Sequence, residues 1–238
     1  MNKIILDASN VCLNYHFEMK SPPPTGTGNA SHAETRRQLL EAAGEVFAAS
    51  GYRDATVREI CRRAGANIAA VNYHFGGKET LYAEVLRYAH SKALEKHPLL
   101  PEVGPGATPE KKLRAFVHSL LLRIFDQGPT AWHGKLMSRE MIEPSAALDS
   151  LVEERMRPMA GQLWQIVAEI LDCPLNHERV RHCAFSVVSQ CVFYHHCRPV
   201  VSRLFPKQEA LDAAAIERLA DHITNFSLAA MKHLAAKR

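Results

Sequence analysis

From Ser31 to the C-terminus, apolar residues recur at three- and four-residue intervals and almost never alternate. That spacing fits the 3.6-residue turn of an α-helix and denies a strand its two-residue repeat. No alternating segment long enough for a strand appears, and no internal repeat. The chain therefore reads as all-α. Its hydrophobic content of 47% is enough for a core within 238 residues.

Glycines and prolines divide this helical pattern. The run "SPPPTGTGNA" at 21–30 reads as a linker that is neither helix nor strand, with 1–20 as a loosely attached arm or an artefact of a start at Met19. The first helix carries Leu39, Leu40, Ala43, Val46 and Phe47 on one side. Ser31 and Glu34 have capping-box spacing at its start, and Gly51 closes it. A second box, Thr56-x-x-Glu59, opens a short helix with Val57, Ile60, Cys61 and Ala64 inward, and Gly65 ends it. Asn67 caps a third, shorter helix that turns Val71 and Phe75 inward and stops at Gly76 and Gly77. A fourth helix starts near Lys78. Four prolines and two glycines in "HPLLPEVGPGATPE" (97–110) mark a domain junction.

Further helices are expected over Leu113–Phe125, Trp132–Ile142, Ala146–Leu171 and Glu178–Cys197. Pro199 and Pro206 are expected to bound a loop. The last helix carries Ile216, Leu219, Ala220, Ile223, Phe226, Ala230, Met231 and Leu234.

Two short helices around a glycine turn form a helix-turn-helix pattern. A small residue at Cys61 lets them approach, and Val71 fills the angle. The opposite side of the third helix then offers Asn67, Ile68, Ala69, Asn72 and Tyr73. Asn pairs with an adenine edge, and Ile and Ala meet thymine methyls. Tyr73, His74, Lys78 and the helix-start amides suit phosphate oxygens, and Thr56 and Arg58 are further DNA-binding candidates. Between residues 51 and 78 stand five Arg or Lys against two carboxylates, a net +3 in a chain whose formal charge is +4. The cationic excess thus sits with the reading device.

The run "TRRQLLEAAGEVFAASGYRDATVREICRRAGANIAAVNYHFGGKETLY" resembles the N-terminal domain of TetR-family transcriptional regulators. The resemblance rests on Phe47, Gly51-Tyr52, Ala55-Thr56, Ala64-Gly65, Tyr73-His74-Phe75, Lys78-Glu79 and Leu81-Tyr82. Many members carry tyrosine where Asn72 stands, so the aromatics here are shifted to Tyr73 and His74. "NIAAVNYHF" is similar to the version in the subgroup with CecR-type C-terminal domains.

The resemblance implies a three-helix DNA-binding domain over 31–90 and a helical effector-binding and dimer-forming domain over 91–238. It implies a homodimer, paired through the last two helices of each subunit, that binds a palindromic operator in double-stranded DNA and is released by a small, largely apolar effector. The last stripe, with Val180, Ala184, Val187, Val188, Cys191 and Val192, is assigned to that interface. Phe125, Trp132, Met137, Met141, Trp164 and Phe185 are the candidate pocket residues.

His182, Cys183, Cys191, His195, His196 and Cys197 raise an alternative, a metal- or thiol-dependent sensor or a helical enzyme. Cys191 and His195 share a face, but no third ligand follows at convincing spacing. No nucleophile elbow, HExxH or phosphate loop is present, so no catalytic residue, metal site or cofactor is assigned. The six cysteines lack a CxxC pair and read as reduced thiols. With no apolar run of membrane-spanning length and no secretory signal, the expected location is the cytoplasm, without a membrane partner.

Overall fold

The computed structural model describes residues 27–101, 103, 104, 106–126, 132–206 and 212–236. The arm and most of the linker, residues 1–26, lie outside the described residues. Every regular element among those described is helical. In chain order they are α1 (Thr27–Asp54), α2 (Val57–Ala64), α3 (Ile68–Phe75), α4 (Lys78–Lys96), α5 (Pro109–Ile124) and α6 (Trp132–Ile142). After these come α7 (Ala147–Leu151), a π-helical turn (Val152–Met156), α8 (Arg157–Leu171), α9 (Glu178–His196), α10 (Arg198–Leu204) and α11 (Ala213–Ala236).

Local signals set most boundaries. Gly51 lies at φ 80° and interrupts α1 where closure was expected. Thr56 accepts from the Glu59 amide and Asn67 from the Ala70 amide, so each short helix has its predicted cap. Gly65 and Gly76 take left-handed conformations at φ 64° and 75°, which a side chain would strain.

Three expectations need correction. The first helix begins at Thr27, so the last four linker residues are helical and Ser31 is no cap. Its carbonyl accepts from Thr35 Oγ1, and Glu34 instead pairs with Arg37 at 2.6 Å. Gly28 and Asn29 weaken a helix without forbidding it. The segment from Pro199 to Pro206 is not a loop. It holds α10, with Pro199 in the first turn, where an absent N–H leaves no hydrogen bond unmade. The expected run over Ala146–Leu171 is continuous but widens into the π turn just before Pro158. Pro158 cannot donate to the carbonyl four residues back, which disturbs the α register there.

The buried residues form two clusters. One joins α1–α4, and it also takes Trp132 and Leu136 from α6 and Ala147 and Leu151 from α7. The other joins α5, α8, α9 and α11. α6 follows the Pro/Gly-rich junction in sequence yet packs into the first cluster. Trp132 lies so close to Gly44 of α1 that a Cβ there would stand 2.4 Å from the indole.

The second cluster corrects the interface assignment. Ile216, Leu219, Ala220, Ile223 and Met231, with Val180, Ala184, Val187 and Cys191, are buried within the protomer's own core. Most of the stripe is turned to the subunit interior, whereas Phe226 and Ala230 are exposed. Helical spacing shows that a face is covered and does not show by what.

The indole–glycine contact generates an expectation for Gly44→Ala. Better helix propensity contributes at most about 1 kcal/mol. Overpacking against a rigid indole costs about 1–3 kcal/mol. The net expected result is a lower melting temperature, measured by calorimetry, with partial recovery in Gly44→Ala/Trp132→Leu.

Candidate nucleic-acid interface

α2 and α3 meet at a tight angle held from inside. The Cys61 thiol faces the Asn67 carbonyl at 3.4 Å, and the Ala66 amide returns to the Cys61 carbonyl at 2.9 Å. Val71 and Phe75 are buried, which anchors one side of α3. The other side carries Asn67, Ile68, Ala69, Asn72 and Tyr73, all exposed. Ile68 is 52% and Tyr73 72% exposed, large apolar surfaces for a helix of eight residues.

The polar groups divide by what they already hold. Asn67 Oδ1 is engaged as the cap of α3 at 2.9 Å, leaving only its Nδ2 for an outside acceptor. Asn72 keeps both ends of its amide free of intramolecular hydrogen bonds among the described residues, so it is the residue able to make a two-point contact with a base. Thr56 Oγ1 accepts in the α2 cap but still has its own proton to donate. Tyr73 has two edge-on ring neighbours, His74 at 5.0 Å and His32 at 5.6 Å. Burial, with His32 and Arg36 nearby, lowers the His74 pKa.

The cationic excess is narrower than the sequence suggests. Arg62 pairs with Glu59 at 2.7 Å, and Arg63 with Glu45 at 3.2 Å. Lys78 Nζ donates to the Arg53 carbonyl at 3.0 Å and lies 4.8 Å from the Tyr52 ring centre, tying the end of α1 to the start of α4. Arg53 and Arg58 are exposed and have no carboxylate partner among the described residues, so they are the available cations of the five. Sequence reasoning missed His32, which lies some forty residues upstream and carries no local signal.

The six pocket candidates do not come together. Phe125 and Trp164 belong to the second cluster, and Trp132 and Met137 to the first. Met141 and Phe185 are exposed. A cavity of about 600 Å³ lies elsewhere, between Gly51–Arg53, Glu79 and Tyr82 on one side and Arg139 and Ile142–Ala147 on the other. Beneath it the buried Glu140 carboxylate accepts from Tyr82 Oη at 2.5 Å and from the amide and hydroxyl of Ser145, both at 2.8 Å.

A polar group interrupts the interior where α4, α5 and α6 meet. It consists of His90, Arg123 and His133. The two imidazole centres are 6.4 Å apart. Burial, reinforced for both by Arg123, pushes each imidazole down to about 4. Burial also lowers Arg123 to about 10.

Among the described residues no three His, Cys, Asp or Glu converge on a common point. Cys191 is fully buried, and burial pushes its thiol up to about 12. His195 turns away toward Gly134 and the Phe125 ring. The Cys/His run therefore presents neither a ligand set nor a reactive thiolate at position 191. No helix among the described residues is long and apolar enough to cross a membrane.

Residues 39–85 match the family model of bacterial regulatory proteins of the tetR family. Residues 109–231 match the C-terminal domain of the HTH-type transcriptional dual regulator CecR. The CecR protein of Shigella flexneri is 30% identical over 172 residues, which span 68% of this chain and 74% of that one. The HTH-type transcriptional regulator TtgW of Pseudomonas putida is 38% identical over 138 residues, 58% of this chain and 95% of its own. Two crystal structures share the fold. A transcriptional regulator from Rhodococcus sp. RHA1 superposes with a TM-score of 0.61 at 22% identity, covering 82% of this chain and 96% of that one. HlyIIR, a hemolysin II transcriptional regulator, gives 0.55 at 23%, covering 81% and 98%.

The buried imidazoles generate a pH expectation. Below pH 6.5 the unfolded chain takes up protons that His90 and His133 refuse in the folded state. Stability is therefore complete above that pH and is lost as pH falls toward 4. Urea unfolding at pH 7.5 and pH 5 should differ by about 2–4 kcal/mol. His90→Gln and His133→Gln should each flatten that dependence.

Proposed function

The chain belongs to the TetR family of transcriptional regulators and carries a CecR-type C-terminal domain, and from that premise we propose that it is a ligand-responsive repressor whose dimer reads a palindromic operator through α3. The observation that carries this reading is the bare side of α3. An anchored helix that exposes Ile68, Ala69, Tyr73 and an unpaired Asn72 amide loses stability for no internal gain, and a major groove supplies the missing contacts. Asn72, Ile68 and Ala69 are assigned to base edges. Tyr73, His74, Thr56, Arg58 and the uncapped start of α4 at Gly77 are assigned to phosphates, with Asn67 Nδ2 as a further donor.

Two copies are joined by the outward faces of α9 and α11. Phe185 (56% exposed) and Phe193 lie on α9, Phe226 (63%) on α11, with Ser189, Ala229 and Ala230 small enough for close approach. A dimer sets two reading heads at a fixed separation, as a palindrome needs.

Effector control follows through α6. Arg139 donates to the carbonyls of Ala48 (3.0 Å) and Ala49 (2.8 Å), Glu140 holds Tyr82, and Trp132 rests on Gly44. A shift of α6 on effector binding would carry α1 and α4 with it and change the spacing of the heads. Operator and effector then oppose each other reciprocally.

Band shifts across a salt series provide the test. Affinity for operator should fall steeply as salt rises. Tyr73→Ala should weaken operator and random duplex alike, by about 1 kcal/mol each. Asn72→Ala should remove about 1–3 kcal/mol of the operator's advantage and leave random duplex almost unchanged. If both variants bind like the parent, the reading face is elsewhere. Sedimentation tests the interface: Phe185→Glu/Phe226→Glu should yield folded monomers at micromolar concentration, and an intact dimer would exclude this face.

A further inference from the structure

A protein interior holds a guanidinium at low cost only when a neighbouring group answers its charge. Arg123 of α5 is 6% exposed. Its Nε donates to the Ser119 carbonyl at 3.3 Å, and its Nη1 faces the Met159 sulfur at 3.2 Å. These neutral groups occupy its hydrogens and leave its charge unanswered. Nη2 has no hydrogen-bond partner, and no carboxylate pairs with Arg123 among the described residues. Asp126, whose charge is felt at His133 and His97, is engaged by Lys96.

The neighbouring side chains share the defect. His90 of α4 is 8% exposed, and its Nδ1 is shielded without a partner. His133 of α6 is only partly buried as a residue, but its Nε2 is likewise shielded without a partner. Four shielded side-chain polar atoms lack a partner among the described residues, and three of them belong to this one group. Chance imperfections in packing would scatter. Orphaned polar atoms on three different helices, one on the unanswered guanidinium itself and two on imidazoles that feel its charge, mark a place built for a polar guest.

We propose that Arg123, His90 and His133 anchor the effector, and that the effector is a small organic acid held by a single carboxylate. This rests on the ligand-responsive reading above and names the chemical class that reading leaves open. Charge balance selects the class. Arg123 contributes one positive charge, and both imidazoles stay neutral at pH 7, so one negative charge restores neutrality. A phosphate dianion would leave a buried excess of charge, and a neutral molecule would leave the guanidinium unanswered. Nη2 gives a charge-assisted bond to one carboxylate oxygen. The imidazoles, in the tautomers that protonate their orphaned nitrogens, complete the shell. Met159 and the apolar cluster behind it border the site and favour an acid with an apolar body.

The test uses the full-length protein with acetate, hexanoate and benzoate, the amides of the last two, and inorganic phosphate. At one hundred times its Kd, at least one of the acids should raise the melting temperature by roughly 5 °C or more. The amides and phosphate should not. Arg123→Met removes an unanswered buried charge, so without ligand it should melt about 2–4 °C above the parent and show no shift with acid. The proposal is overturned if no acid shifts the parent, if an amide shifts it as far, if the shift survives in Arg123→Met, or if that variant melts lower. Release of operator, measured separately, distinguishes the two readings. An acid that binds at Arg123 but leaves the operator occupied supports the anchor and defeats effector release. Operator released by a neutral compound, with no acid bound, does the reverse.

Discussion

The DNA-reading end of this protein depends on a helix that follows the domain junction in sequence. α1–α4 bury their apolar faces against each other, but Trp132 and Leu136 of α6 complete that core. The Arg139 guanidinium then donates to the Ala48 and Ala49 carbonyls just before Gly51, where the helical geometry of α1 is interrupted. These contacts cross a junction that the proline-rich segment marks clearly in sequence. As a result the orientation of the reading head is fixed by packing with α6, and any force on α6 reaches α1 within one layer of side chains.

The same packing explains why α3 can remain bare. An eight-residue helix with half its surface apolar has little stability alone. Here Val71 and Phe75 fix one side, and Asn67 and Gly76 fix the ends. The unburied side then needs no partner for folding and remains available for recognition. Neutral donors dominate this surface. Arg62, Arg63 and Lys78 are turned to structural tasks, so long-range attraction to DNA rests on few free cations and short-range fit carries more of the discrimination.

Legibility in the sequence followed range. Thr56, Gly65, Asn67 and Gly76 could be placed because a cap is decided by residues three or four positions away. The bare face of α3 was legible for the same reason, since its period and polarity are contained in nine residues. Trp132 was not. Taken alone it is a bulky residue suited to a pocket, and only its contact with Gly44, 88 positions upstream, places it in the reading head. The stripes on α9 and α11 show the limit of periodicity. Burial was correctly read, but the partner was a neighbouring helix of the same subunit. Arg123, His90 and His133 had no signature, because each is a single polar residue on a different helix.

The position of that polar group gives the arrangement its consequence. His90 lies on α4, the helix whose start adjoins α3, and His133 follows Trp132 directly on α6. On a helix, successive side chains point about 100° apart, so Trp132 can face Gly44 while His133 faces the interior. A guest bound between His90 and His133 therefore bears on both elements that set the reading head. With Arg123 on α5, whose neighbours form the second cluster, the guest would also tie the head to α8, α9 and α11. A binding event at this point can favour one head spacing over another only if the three side chains sit differently in the two states. The orphaned atoms are a physical reason for them to do so.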